Sequence, residues 1–154
     1  MHGSLFERLK AWLTGDIAAD YGISQLQAAA GMASFSSQPP AVHFNPLGGV
    51  HGGYTATLFD AALGLAVYSQ ASAEEVFVTA SLQVNYLRPI GLAALPLHTE
   101  ACVQQREGRQ VAVQATLHDA QGQLCATASA VFTCLRGSSQ ATGYRLRPAW
   151  RRCC

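Results

Sequence analysis

The stretch H-F-N-P-L-G-G-V-H-G-G-Y-T-A-T-L-F-D-A-A-L-G-L-A-V-Y-S-Q, His43 to Gln70, decides how the rest of the chain is read. A turn-prone segment, Asn45 to Gly49, runs into His51-Gly52-Gly53 and then into a long apolar run. That run is rich in Ala and Leu, lacks Pro, and is long enough for about five helical turns. The spacing predicts a central helix over roughly 51 to 69, with Asp60 as its only charge. At three- and four-residue spacings Asp60 faces Ala56, Thr57, Leu63 and Gly64, all small or apolar. A helix apolar nearly all round is normally buried. Asp60 is therefore expected to be buried, with its carboxyl titrating above the usual range. It could serve a structural network, or face a wet groove or a subunit contact.

The residues ahead of the helix favour chemistry. Gly52 and Gly53 carry no side chain, so a ligand can come close to the first backbone N–H groups of the helix. Those groups, with the positive end of the helix dipole, would stabilise negative charge developing on a bound oxygen. An acid two turns on, with Asn45 and His51 ahead of it, then sets a base beside an oxyanion site. That is an acyl-transfer constellation.

The 154 residues suit one domain, expected over 1–136 and followed by a basic tail at 137–154. Only 12% of residues are charged against 49% hydrophobic, which suggests surface covered in an oligomer. A net charge of +1 leaves no footprint for nucleic acid. The first 15 residues lack a signal-peptide core, and the apolar run is too short and too Gly-interrupted to span a bilayer. The five cysteines form no C-x-x-C pair. Cys102, Cys125 and Cys134 fall in strand-like stretches and are expected reduced and packed. Cytosol is the expected compartment, with no membrane or nucleic-acid partner and no metal site, because His43, His98 and His118 are scattered.

Along the chain, Leu5, Phe6, Leu9, Trp12 and Leu13 form an amphipathic stripe that predicts a helix over 3–14, ended by Gly15 and Asp16. Residues 21–38 suggest two strands turning near Gly31. After the central helix come four strand-like stretches: Val76 to Leu87, Pro96 to Glu107, Gln110 to Ala120 and Gln123 to Leu135. The first places Val76, Val78, Leu82, Val84 and Tyr86 in alternation. A helix followed by adjoining strands argues for an α+β fold with an antiparallel sheet of about five to six strands.

This order is that of the hotdog fold, a long central helix wrapped by an antiparallel sheet. N-P-x-G-x-V-H-G-G followed by L-x-D-x-x-x-G-x-A, Asn45 to Ala66, resembles the PaaI-like (phenylacetate-degradation-type) acyl-CoA thioesterases. T-A-S-L-Q-V-N-Y-L-R-P at Thr79 to Pro89, Glu107-Gly108-Arg109 and the D-A-Q-G-Q-L turn are similar to that family too. The match spans roughly residues 20–135. The resemblance implies a homotetramer of hotdog dimers, with acyl-CoA bound between two subunits and no metal or organic cofactor. It implies Asp60 as general base or nucleophile, and the Gly52 N–H as the group polarising the thioester carbonyl, at the opposing subunit's helix start. Asn45 and His51 match positions that place the thioester or the attacking water, and Thr79 one that helps hold that water.

Each residue also has a plainer role open to it. Asn45 before Pro46 can be a turn residue, His51 can fix its loop, and Thr79 is β-branched and suits a strand. Gly53 offers close approach to substrate. Arg88 and Arg109 can meet CoA phosphates or be solvated strand-end charges. Residues around Tyr54, Phe59 and Leu63 are expected to shape the acyl pocket. Thioester hydrolysis needs only a positioned water, a base and an oxyanion site, and no G-x-S-x-G elbow is present. The competing class is a non-catalytic acyl-CoA-binding hotdog protein. A hotdog hydratase would pair its acid with a histidine, a pairing this sequence does not offer.

Overall fold

The computed structural model describes residues 5–135. Two short helices, α1 (Leu5–Thr14) and α2 (Asp16–Tyr21), precede the hairpin β1 (Ile23–Ala29) and β2 (Met32–Ser37). The long helix α3 (Gly52–Tyr68) follows, then β3 (Val76–Tyr86), β4 (Leu97–Glu107), β5 (Gln110–His118) and β6 (Leu124–Leu135). All six strands join in one antiparallel sheet, ordered β1-β2-β4-β5-β6-β3, so β3 is an edge. The sheet wraps α3: this is the hotdog arrangement.

Burial holds it together. Leu58, Phe59, Ala62, Leu63, Leu65 and Ala66 of α3 are buried against Phe35, Leu97, Val113, Leu117 and Phe132 of the sheet. Each large side chain so buried is worth about 1.5–3 kcal/mol. The alanines that weaken the strand signal have a packing role. Ala28, Ala33, Ala101, Ala115 and Ala128 lie in register across five strands and pack into the core cluster, leaving room for the helix's Leu and Phe side chains.

The N-terminal region departs from expectation. Within the described residues α1 begins at Leu5 and ends before Gly15 as expected, but Asp16 opens a second short helix, α2, instead of belonging to the stop. Gly22 closes α2 in the left-handed region at φ 62°, and a Cβ there would lie 1.9 Å from the Gln38 carbonyl oxygen. Only glycine fits. The expected stripe is also narrower: Leu13 is buried, Phe6 and Leu9 half-buried, and Trp12 turns outward. Cys125 and Cys134 are buried free thiols, and burial pushes the Cys125 thiol up. Cys102 is only half-buried, with Gln104 Nε2 2.8 Å from its Sγ. The stretch 137–154 lies outside the described residues. No helix among the described residues is long and apolar enough to cross a membrane.

Candidate active site

Four hydrogen bonds, through the hydroxyls of Tyr68, Thr79 and Tyr86, fasten α3 to the edge strand. At the C-terminal end of the helix the Tyr68 hydroxyl donates to the Phe77 carbonyl and accepts from the Phe77 N–H, both at 2.8 Å. Midway, Thr79 Oγ1 donates to Asp60 Oδ1 at 2.9 Å. At the helix start, the Tyr86 hydroxyl donates to the Gly52 carbonyl at 2.7 Å.

Thr79 and Tyr86 are an odd number of residues apart, so in a regular strand they would face opposite sides. The β3–β6 register shifts between Thr79 and Ser81, leaving Ala80 as an unpaired bulge residue. Phe77 and Thr79 before the bulge and Leu82, Val84 and Tyr86 after it thus share the helix side. Val76 and Val78, expected on the face of Leu82 and Val84, lie on the other. A bulge re-aims the side chains beside it.

Asp60 is exposed, which corrects the expectation of a buried carboxylate. The helix is not covered all round: Leu63 and Gly64 are buried, but Gly53 is exposed and Ala56, Thr57 and Ala61 are half-covered, leaving an open stripe of small residues in which Asp60 stands. Its solvation explains how a lone carboxylate is tolerated on this helix. Tyr54, Phe59 and Leu63, around which the acyl pocket is expected, are themselves buried in the chain's own core. Tyr54 stacks on Tyr21 with His43 beside both, and its hydroxyl donates to the Tyr21 carbonyl at 2.6 Å.

Asn45 is a loop organiser. Its Oδ1 accepts from the N–H groups of Leu47 (2.9 Å) and Gly49 (3.1 Å), and its Nδ2 makes no hydrogen bond among the described residues. His51 sits at the helix N-cap without a side-chain cap; its N–H donates to the His43 carbonyl and its exposed ring makes no hydrogen bond within the described residues. The N–H groups of Gly52 and Gly53 have no acceptor among those residues, as a helix start dictates. Gly52 lines a cleft of about 360 Å³ with Val50, Thr55, Tyr86, Arg88 and Ile90. A larger depression of about 500 Å³, lined by Met32, Ser34, Glu100, Cys102, Gln114 and Thr116, lies on the sheet away from Asp60.

Not every expected partner meets within one chain. Gly52 and Asp60 are eight helical residues apart, about 12 Å along the axis, too far to serve one carbonyl carbon. Arg88 Nε donates to the Leu124 carbonyl at 3.2 Å, by the helix start; Arg109 Nε donates to the Cys134 carbonyl at 2.9 Å, near the Thr79 end of the sheet. Asp60 and Thr79 thus meet midway along α3, with Arg109 on the far side of β6 by Cys134, while Gly52, Gly53, His51 and Arg88 lie by the helix start. Tyr86 went unread in the sequence, where it counted only as an alternating strand residue. The described residues hold no group of three or more His, Cys, Asp or Glu side chains able to bind a metal ion.

The fold is shared with solved structures. The PaaI protein from the phenylacetic acid degradation operon of Escherichia coli is 22% identical, with a TM-score of 0.73 over 86% of this chain and 94% of that one. The phenylacetic acid degradation protein PaaI of Thermus thermophilus, solved as a point mutant, is 24% identical (TM-score 0.69; 77% and 98% covered). A Streptococcus mutans protein, smu.793, solved bound to acetyl-CoA, is 22% identical (TM-score 0.67; 73% and 88% covered). No curated protein sequence matches the chain. Residues 47–126, from the Asn45 loop through α3 to β6, match the thioesterase superfamily. With more than half of its length so matched, and with the hotdog fold found in the PaaI proteins, the chain belongs to the thioesterase superfamily.

Proposed function

We propose that this protein is an acyl-CoA thioesterase that hydrolyses the acyl–sulfur bond to give a carboxylic acid and free CoA. The observation that carries the reading is Asp60, the single charge of an apolar helix, held open to solvent with one oxygen fixed by Thr79. In a chain of the thioesterase superfamily, an oriented and accessible carboxylate is suited to act on a thioester or its attacking water.

In the proposed reaction Asp60 takes a proton from water as the water's oxygen adds to the thioester carbonyl. The carbonyl electrons move onto oxygen, where amide N–H groups at a helix start receive the charge. The tetrahedral intermediate then re-forms the carbonyl and expels CoA thiolate. Attack by the Asp60 carboxylate itself, through an anhydride that water then opens, has the same products. The distance between Gly52 and Asp60 argues that the amides come from a second copy of the chain. The unpaired β3 edge and the low charged fraction support self-association, read here as a tetramer made of two dimers. Two-fold pairing would bring Asp60, Thr79 and Arg109 of one copy to Gly52, Gly53 and Arg88 of the other, with His51 and the Asn45 Nδ2 at the thioester. The terminal nitrogens of both arginines remain for CoA phosphates, and the acetyl-CoA bound to the S. mutans protein makes CoA a natural ligand to test. The reading needs no cofactor and places the enzyme in the cytoplasm.

The test is thiol release over a panel of aromatic and aliphatic acyl-CoAs, run beside Asp60→Ala. Hydrolysis that falls by orders of magnitude in a folded variant supports the reading and ranks the acyl groups. Tight acyl-CoA binding without hydrolysis would instead make this a binding protein.

A further inference from the structure

The two amides at the start of α3 differ in what stands behind them. The Gly52 N–H shares its peptide with the His51 carbonyl, which accepts from Tyr54 N at 3.0 Å and lies 3.5 Å from Thr55 N. The Gly53 N–H shares its peptide with the Gly52 carbonyl, and there the Tyr86 hydroxyl donates at 2.7 Å. Hydrogen bonds in series polarise one another, so a donor on the oxygen of a peptide strengthens the N–H across it. Both amides are thus backed by the helix ladder, and the Gly53 amide by a side chain from the edge strand in addition.

Tyr86 is also matched to Gly52 by shape. A Cβ at position 52 would lie 3.1 Å from the Tyr86 hydroxyl oxygen and 3.2 Å from Cζ. A side chain there would press the ring aside by a few tenths of an ångström, straining the bond it now makes. Tyr86 is 53% exposed and lines, with Gly52, the cleft beside the helix start. The bulge at Ala80 is what turns Tyr86 to this side of the sheet.

We infer that Tyr86 is a positioning residue of the thioester site: its hydroxyl fixes the Gly52–Gly53 peptide and strengthens the Gly53 N–H as a second donor to the thioester oxygen. The inference rests on the thioesterase reading above. Because the oxygen carries more negative charge in the transition state than in bound substrate, the contribution falls on kcat rather than KM.

Tyr86→Phe keeps the ring and removes the bond. The expected result is a kcat lower by roughly tenfold with KM within about twofold of wild type. A second readout uses a ketone analogue of acyl-CoA, with a methylene between carbonyl and sulfur and a ¹³C-labelled carbonyl. Its infrared carbonyl band, lowered on binding to wild type, is expected to move back toward its solution position on binding to Tyr86→Phe. The band reports only folded, liganded protein, so partial unfolding does not imitate the shift. Unchanged kcat with an unmoved band, whatever happens to Tm, would reduce Tyr86 to packing and leave the thioesterase reading intact. Absence of hydrolysis by the wild type would remove that reading, and this inference with it.

Discussion

Thr79 Oγ1 donates to Asp60 Oδ1 across 2.9 Å, tying the edge strand to the open face of the central helix. The bond fixes one carboxylate oxygen and leaves Oδ2 without a partner among the described residues. A carboxylate held in this way keeps an acceptor lone pair aimed at solvent, which a base requires. The Ala80 bulge sits beside Thr79, so strand irregularity and carboxylate orientation are linked.

Replacing Thr79 tests that link. Thr79→Val keeps the β-branched shape and loses the donor; kcat is expected to fall roughly tenfold with KM little changed. Thr79→Ser retains the hydroxyl and most of the activity. Steady-state kinetics decide, and a Val variant with full kcat would leave Thr79 a strand residue only.

Gly52 and Tyr86 should prove coupled in stability. Gly52→Ala sets a methyl against the Tyr86 ring, and an expected loss of about 1–3 kcal/mol outweighs the better helix propensity of Ala. Adding Tyr86→Ala removes the clash, so the double variant should lose less than the two single losses combined. Thermal or urea unfolding of the four proteins measures this, and simple additivity would count against a direct contact.

How much of this was legible in the sequence depends on which interactions are local. The H-G-G start, the helix and the position of Asp60 on it follow from residue order and a 3.6-residue period, and the structure has them at 52–68. The Glu107-Gly108-Arg109 turn and the strands around it are equally local. Asp60's exposure was not legible, because burial depends on which face the sheet covers, and a helix apolar on all sides does not disclose that. For the same reason the sequence does not disclose that Tyr54, Phe59 and Leu63 face the chain's own core. Alternation through Val76, Val78, Leu82, Val84 and Tyr86 suggested one continuous face. The bulge breaks it, and nothing in the side chains around Ala80 marks an extra residue. Tyr86 was lost with it, since its meaning lies in a contact with a residue 34 positions earlier. The α2 helix was missed because Gly15 and Asp16 read together as a stop, whereas Asp16 opens the second helix.

The proposed division of the site between two copies can be tested by mixing. Asp60→Ala and Gly52→Val should each be inactive alone. Unfolded together and refolded, they should form hybrids in which one site has both an intact Asp60 and an intact helix start, recovering about one quarter of wild-type activity for random pairing in dimers. The recovered rate is read by thiol release. No recovery from hybrids whose presence light scattering and mass spectrometry establish would place both residues' roles within a single chain.

Tyr54 gives the fold a defined alkaline response. Burial pushes its phenol up to about 12, against a lowering contribution from Ser37, and its proton is used on the Tyr21 carbonyl. A pKa raised on folding means that the native state holds the proton more tightly than the unfolded chain does. The resulting stabilisation is complete below the unfolded value of about 10 and is lost as pH rises through the folded value. Tyr54→Phe lacks the bond to Tyr21 and is expected to be about 1 kcal/mol less stable at pH 7. Because Phe does not titrate, the difference between the two proteins should shift by an amount on the order of 2 kcal/mol from pH 10 to 12, closing and reversing within that range. Urea unfolding of both proteins across that range isolates the effect, since the other tyrosines titrate in each. A constant gap between pH 10 and 12 would show that the Tyr54 proton is not what holds α2 to the start of the central helix.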